Sequence, residues 1–155
     1  MTETTRWLSP AEQRAWRGFI RLQQKLTACL SRDLQTQSQL SGADYEILVA
    51  LTDVPEGRQR YLDLARSVEW ERSRLSHQIT RMAKRGLVVR EECAEDGRGA
   101  FVAITGAGRE TIEAAAPKHV ATVRRMVVDV LSEDELATLA RISERILQRL
   151  DDESS

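Results

Sequence analysis

Cysteine and histidine are scarce in this sequence, with two of each among 155 residues. The cysteines, Cys29 and Cys93, are too few for a disulfide framework, and they lack the paired spacing of a zinc site. No Gly-rich phosphate loop or cluster of metal ligands accompanies the histidines, His77 and His119. The sequence therefore predicts neither an enzyme nor a metal or cofactor site, and it fits a reducing compartment.

Long apolar runs are also missing. No stretch approaches the ~20 apolar residues that a membrane-spanning helix requires, and the N-terminal segment lacks the pattern of a secretory signal. We therefore expect a cytoplasmic protein with no membrane partner. With 41% hydrophobic and 30% charged residues, residues 1–155 fit a single domain.

The net charge is only −1, but the positive charges are clustered. Between residues 58 and 90, nine Lys or Arg residues stand against three acidic residues, which gives a local excess of six positive charges. A polyanion responds to such local clustering rather than to the mean charge. This segment is therefore the predicted contact with nucleic acid.

Serine residues mark three predicted helix starts. Ser9, Ser41 and Ser132 are each followed three residues later by an acidic residue, which is the spacing of a capping box. We expect a long first helix, a shorter second helix that stops near Asp53, and a last helix that runs to Leu150 before a frayed tail.

Two short helices joined by a tight turn are predicted in the basic segment. A loop with two arginines, residues 58–60, precedes a helix over residues 61–68. A break at residues 69–71, in which Trp70 is expected to pack, leads to a second helix that ends at Gly86. The predicted inward residues of the first of these helices are Leu62, Ala65 and Val68. This order indicates a helix-turn-helix.

The second helix of the pair has an apolar and a polar face at about 100° per residue. Its apolar arc holds Leu75, Ile79, Met82 and Ala83, whereas its opposite face and flanks hold Ser73, Arg74, Ser76, His77, Thr80, Arg81 and Lys84. Such side chains read base edges and hold phosphates in the major groove of DNA. The alternative is an ordinary solvated face, so the residues that follow decide between the two.

Those residues predict a β-hairpin. Asp96 and Gly97 lie between the apolar runs 87–90 and 101–104, and Asp-Gly in that setting favours a tight turn. A hairpin directly after such a helix is a wing, and Arg98 at its tip could reach the minor groove. We therefore predict a mainly α fold with a small β-hairpin wing, in which a winged helix-turn-helix lobe spans about residues 40–105.

The terminal segments carry more apolar surface than a domain of this size needs for itself. Residues 9–36 have a wide apolar stripe, and residues 107–150, after the predicted N-cap Thr105, carry apolar residues at steps of three and four. Pro117 should kink or break its helix. We predict that these segments are dimerisation helices of a homodimer; the alternative is a monomeric helical bundle.

The order of elements and several motifs resemble the MarR family of bacterial regulators, from about Trp16 to Leu150. The matching residues are Leu40-Ser41, Leu62 to Ala65, Ser73-Arg74-Leu75-Ser76, Arg85-Gly86-Leu87-Val88-Val89-Arg90, Asp96-Gly97-Arg98, Ile104-Thr105 and Gly108. The resemblance implies a dimer formed by the terminal helices, a palindromic operator in double-stranded DNA, and repression relieved by a small lipophilic or phenolic ligand. That ligand would bind in a crevice between the dimer helices and the DNA-binding lobe.

The resemblance also implies roles for single residues. By this analogy Ser73, Arg74, Ser76, His77 and Arg81 contact bases and phosphates, Arg98 contacts the minor groove, and Asp96 orients the wing. Two other functions stay open. One is a cysteine-based redox-sensing regulator of the same fold, although the acidic neighbours of Cys93 disfavour a thiolate. The other is a winged-helix protein-interaction module without DNA readout.

Overall fold

Six α-helices and three short β-strands make up the part of the chain that this computed structural model describes, residues 4–92 and 100–155. In chain order they are α1 (Pro10–Ser38), α2 (Gly42–Thr52), β1 (Arg58–Arg60), α3 (Tyr61–Val68), α4 (Arg72–Lys84), β2 (Val88–Glu92), β3 (Ala100–Ile104), α5 (Gly106–Met126), a 3₁₀ turn (Val128–Val130) and α6 (Glu133–Glu153). This order confirms the predicted mainly α fold with a small β-hairpin.

The helix starts form as the serine spacing predicts. At Ser9, Ser41 and Ser132 the hydroxyl oxygen accepts a hydrogen bond from the backbone N–H three residues on, and the acidic side chain there accepts one from the serine N–H. These bonds, the one from the serine N–H first, hold the pKa of Glu12 and Glu135 below the ordinary value of 4.5. The capping box therefore satisfies donors that each helix start would otherwise leave unpaired.

The three strands form one antiparallel sheet in the order β1-β3-β2. Val102, in the central strand, is fully buried and lies opposite Gln59 on one side and Arg90 on the other. The prediction of a loop at residues 58–60 was wrong, because Arg58–Arg60 forms strand β1. Gly57 precedes it with φ 65°, and its carbonyl accepts a hydrogen bond from the N–H of Ile104 at 2.8 Å. A side chain at this glycine would collide with Ile104.

The core lies between α2, α3, α4 and the sheet. Its fully buried side chains include Leu40, Ile47, Leu48, Leu51, Leu64, Leu75, Ile79, Met82, Val88 and Val102. The prediction that Leu62 points inward was wrong: its side chain is 38% exposed, whereas Leu64 is buried. Leu64, Ala65 and Val68 form the inward stripe of α3, and this stripe turns Leu62 toward the surface.

At Pro117 the break, one of the two expected alternatives, does not occur, and the expected frayed tail is not seen. Helix α5 runs from Gly106 to Met126 without a break at Pro117. Both Pro117 and Glu113, whose carbonyl loses its partner there, are exposed, so water can satisfy the free carbonyl. The expected frayed tail is helical as far as Glu153, where the Arg149–Glu153 ion pair at 2.7 Å supports the last turn of α6.

The apolar stripe of α6 and the apolar residues in the first half of α1 face outward in this single chain, whereas Leu34 of α1 is buried. No residue of α6, which the structure describes completely, is buried. The exposed apolar side chains of α1 and α6 are Trp16, Phe19, Leu22, Leu136, Leu139, Ile142, Ile146, Leu147 and Leu150. Among the described residues, none of the helices combines the length and apolar character of a membrane span.

Candidate nucleic-acid interface

Helix α4 is fixed to the core by its apolar face. Leu75, Ile79 and Met82 are fully buried, as the periodicity predicts. The predicted contact residues lie elsewhere on the helix: Ser73, Arg74, His77, Thr80, Arg81 and Lys84 are exposed, and Ser76 is half-buried. The helix therefore presents one continuous row of cations and hydrogen-bond donors to the solvent.

The turn before α4 is made by Glu69, which adopts the left-handed conformation at φ 56°. This residue ends α3, and the N–H of Trp70 then donates to the carbonyl of Ala65 at 3.0 Å. The half-buried Trp70 ring lies under Arg74, whose guanidinium carbon is 4.0 Å from the ring centroid. Trp70 packs as expected, and it also provides a cation–π contact to a predicted DNA-binding side chain.

A wing strand contacts the same helix. Nη2 of Arg90, in β2, donates to the carbonyl and hydroxyl oxygens of Ser76 at 3.0 and 3.1 Å, and it lies 3.3 Å from the Thr80 hydroxyl. The Thr80 hydroxyl in turn donates to the Ser76 carbonyl at 2.9 Å. Two hydroxyls predicted to contact DNA therefore also support Arg90, a residue that the periodicity analysis did not select.

Residues at the base of the wing form a second cluster. The guanidinium of Arg58 lies 4.1 Å from the Phe101 ring centroid and pairs with the Glu91 carboxylate at 3.0 Å. These contacts connect all three strands near the Glu91–Phe101 pair, toward the end of β2. Asp96 and Arg98, predicted to orient the wing and to contact the minor groove, lie outside the described residues.

A buried polar group stands behind α4. The Asp44 side chain, only 3% exposed, accepts hydrogen bonds from Arg85 and from the amide of Gln78, which is 4% exposed. The Gln78 oxygen accepts from Nη2 of Arg81 at 2.8 Å. Sequence reasoning missed this network, because neither the capping role of Asp44 nor the position of Gln78 in α4 indicates a contact across 34 residues.

A helix-turn-helix whose second helix exposes arginine, lysine, histidine and hydroxyl groups, followed by an antiparallel hairpin, defines the winged-helix class of DNA-binding proteins. The similarity to solved structures is extensive. AbsC, a MarR family transcriptional regulator from Streptomyces coelicolor, is 44% identical over 96% of this chain and 99% of its own, with a TM-score of 0.91. A second MarR family regulator of that organism, Sco3205, solved in complex with DNA, is 37% identical over 94% of this chain and 92% of its own, with a TM-score of 0.90.

No protein-family model matches the chain. At this identity and coverage, however, the two structures establish the family. This chain belongs to the MarR family of transcriptional regulators, and it is a DNA-binding transcriptional regulator.

Proposed function

We propose that this protein is a homodimeric repressor in the cytoplasm that binds a palindromic operator and is released from it by a small lipophilic or phenolic ligand. The observation that carries the proposal is the exposed row of donors along α4, fixed from behind by a fully buried apolar face. An α-helix of this kind fits the major groove, where arginine reads guanine through two hydrogen bonds.

The proposed contacts fall into two groups. Arg74, His77 and Arg81 are the candidates for base edges, and Ser73 and Lys84 at the two ends of the helix are the candidates for phosphates. Ser76 and Thr80 stay in the interface and also hold Arg90 against the helix. Arg98 is proposed to contact the minor groove and Asp96 to orient the wing, as the family resemblance implies.

The partner for the exposed apolar surface is proposed to be a second copy of this chain. Helix α1, the end of α5 and helix α6 border an open groove of about 720 Å³, lined chiefly by apolar side chains such as Phe19, Leu26, Leu139 and Ile142. An exposed apolar surface of this kind marks an interface. A two-fold contact would bury the stripes of both α6 helices at once, so the terminal segments 9–36 and 107–150 would form the dimer.

The proposed ligand site is the junction between the dimer helices and the DNA-binding lobe. There the Tyr45 and His119 rings lie 4.4 Å apart, beside Lys118, whose ammonium is 3.4 Å from the Gln37 carbonyl. The crevice beside them encloses only about 10 Å³, so a ligand would have to open it. An aromatic acid suits this junction, because its ring could stack on the two aromatic rings and its carboxylate could meet Lys118.

Two regulators with the same fold support a search among such compounds. BpsR from Bordetella bronchiseptica, 20% identical, is described as regulated in its DNA binding by 6-hydroxynicotinic acid. An organohalide-sensing regulator, 16% identical, is described in a form bound to 2,4-dichlorophenol. At these identities the likeness extends to the fold alone, so the choice of compound class depends on Tyr45, His119 and Lys118.

The test is selection from random-sequence duplex DNA, followed by footprinting on the selected site and on the DNA flanking the protein's own gene. We expect two protected half-sites about one helical turn apart, with an affinity that falls steeply with salt because bound phosphates release counterions. Phenols and aromatic acids are then added to the complex, and one of them should release the DNA.

The other functions give different results in the same experiment. A protein-interaction module would select no sequence and protect no DNA. A redox sensor would lose its operator on mild oxidation, and a Cys29→Ser or Cys93→Ser variant would not. A single protected half-site and a monomer in light scattering would contradict the dimer.

A further inference from the structure

Two buried side chains, Asp44 and Gln78, connect helix α2 to one proposed DNA-reading side chain, Arg81. Asp44 is the third residue of α2, and Gln78 lies on the buried side of α4. One oxygen of the Asp44 carboxylate, Oδ2, accepts from the Ser41 N–H at 2.9 Å and from Nη1 of Arg85 at 2.6 Å. The other oxygen, Oδ1, accepts from Nε2 of Gln78.

The carboxylate determines which end of the Gln78 amide faces Arg81. A carboxylate only accepts hydrogen bonds, so the NH₂ group of Gln78 must point toward Asp44. Oε1 is then left on the side of Arg81, where it accepts from Nη2 at 2.8 Å. With the amide reversed, two acceptors would meet at Asp44 and two donors would meet at Arg81.

We propose that Asp44 and Gln78 are positioning residues that set the sequence specificity of DNA binding through Arg81. The inference rests on the proposed function, in which Arg81 reads a base. A free arginine side chain loses much rotamer freedom when it binds, and holding its guanidinium beforehand reduces that cost. Because base readout depends on fixed geometry, the gain falls on the matching sequence rather than on DNA in general.

The simpler reading is that the network only fastens α2 to α4. Arg85 provides such fastening, because it pairs with Asp44 and also donates to the Gln39 carbonyl at the end of α1 at 2.6 Å. Arg85 bonds to Oδ2 of Asp44, whereas Gln78 bonds to Oδ1. An Arg85→Met variant is therefore the matched control. It removes the ion pair between Arg85 and Asp44 but keeps both groups that bond to Gln78: the Asp44 carboxylate and the Arg81 guanidinium.

The experiment measures preference, defined as the affinity for the selected operator divided by the affinity for operators with single base-pair changes. Fluorescence anisotropy on the full-length protein supplies both affinities, and thermal melts show that each variant is folded. Gln78→Met keeps the volume but removes the acceptor. We expect this variant and Arg81→Ala each to lower the preference about tenfold, with little change in binding to unrelated DNA.

Non-additivity is the decisive readout. If Gln78 acts only through Arg81, the double variant Gln78→Met/Arg81→Ala should lose no more preference than Arg81→Ala alone. Losses that multiply in the double variant would overturn the proposal, and so would an equal loss of preference in Arg85→Met. Failure of the proposed function looks different, because the wild-type protein would then select no operator.

A charge exchange gives a second, independent test. Asp44→Asn allows the amide of Gln78 to reverse, so the preference should fall. In Asp44→Asn/Gln78→Glu the new amide at position 44 donates to the new carboxylate at position 78, whose second oxygen again accepts from Arg81. We expect the preference to return in this double variant. A folded double variant that discriminates no better than Asp44→Asn would contradict the orienting role.

Discussion

Nη2 of Arg90, in the wing strand β2, donates to both the carbonyl and the hydroxyl oxygen of Ser76 in helix α4, at 3.0 and 3.1 Å. The same nitrogen lies 3.3 Å from the Thr80 hydroxyl, so one cation of the wing strand contacts two residues of α4. The wing strand and α4 are consequently held in one relative orientation. A change in the position of the wing in the minor groove would then also move α4 in the major groove.

Replacing Arg90 should therefore weaken both the fold and DNA binding. In Arg90→Met the alkyl stem remains but three hydrogen bonds are lost, and we expect the free energy of unfolding to fall by about 0.5–1 kcal/mol, because these bonds are partly solvated. Operator affinity should fall further than it does when an arginine without contacts to α4 loses its charge. Chemical denaturation and anisotropy measure the two effects.

The matched control for Arg90 is Arg66→Met. Arg66 is also exposed in the basic segment, and its side chain pairs at 3.9 Å with Asp63 of its own helix α3. It should change operator affinity slightly and the unfolding free energy hardly at all. Equal effects of the two substitutions would show that Arg90 contributes charge alone.

The contact between Trp70 and Arg74 predicts a measurable coupling. The guanidinium lies 4.0 Å from the ring centroid at the surface, where a cation–π contact contributes about 0.5–1 kcal/mol. A double-mutant cycle with Trp70→Leu and Arg74→Met, followed by urea denaturation, should return a coupling free energy of that size. A coupling indistinguishable from zero would mean that Arg74 is placed by the helix alone.

Local signals were enough to predict most of the helices. The capping boxes at Ser9, Ser41 and Ser132 are complete within four residues, so their geometry is readable from the sequence. Strand β1 could not be predicted from the sequence. Arg58–Arg60 is short and polar, and it becomes a strand only by pairing with β3. The orientation of Leu62 was missed for a related reason: two apolar faces are available on a short helix, and tertiary packing selects between them.

The candidate site also has a part that the sequence predicts and a part that only the folded structure shows. Periodicity correctly placed the exposed side chains of α4, since a helix with one buried face must expose the other. The contacts that hold those side chains were invisible, because Arg90 meets Ser76 across 14 residues and Gln78 meets Asp44 across 34. No spacing rule reports a contact that exists only once the chain has folded.

The half-buried contact between Tyr45 of α2 and His119 of α5 should make stability depend on pH. Burial lowers the pKa of His119 below its ordinary value of 6.5, beside the Tyr45 ring, whose own pKa burial raises. The unfolded chain therefore binds a proton at His119 more readily than the folded chain does. The stability gained from the neutral ring is complete above about pH 6.5 and is lost as the pH falls toward the lower, folded pKa.

Denaturation between pH 5.5 and 7.5 measures this dependence, in a range where most carboxylates stay ionised. We expect the wild-type unfolding free energy to decrease toward pH 5.5 and the decrease to be smaller in His119→Gln. The charged groups near His119 are Lys118, on the same helix, and Asp33 of α1, which accepts from Thr122 at 2.9 Å. Parallel pH profiles for the two proteins would remove His119 as the cause.

The exposed stripe of α6 gives a direct test of the proposed dimer. Ile142, 50% exposed in the single chain, lies within that stripe and borders the apolar groove, so Ile142→Glu would bury a carboxylate against the partner's apolar side chains. We expect light scattering to show a monomer. Operator affinity should fall by at least tenfold, because each half-site must then be bound without the effective concentration that the second reading helix provides.

The control introduces the same charge on the opposite side of the same helix. Ala137 is exposed and lies well away from the stripe of Leu139, Ile142 and Ile146, and the glutamate of Ala137→Glu could pair with Arg141 four residues on. This variant should remain dimeric and bind the operator as the wild type does. If Ile142→Glu were also dimeric with unchanged affinity, α6 would not be the dimer contact, and the outward apolar stripe would need another partner.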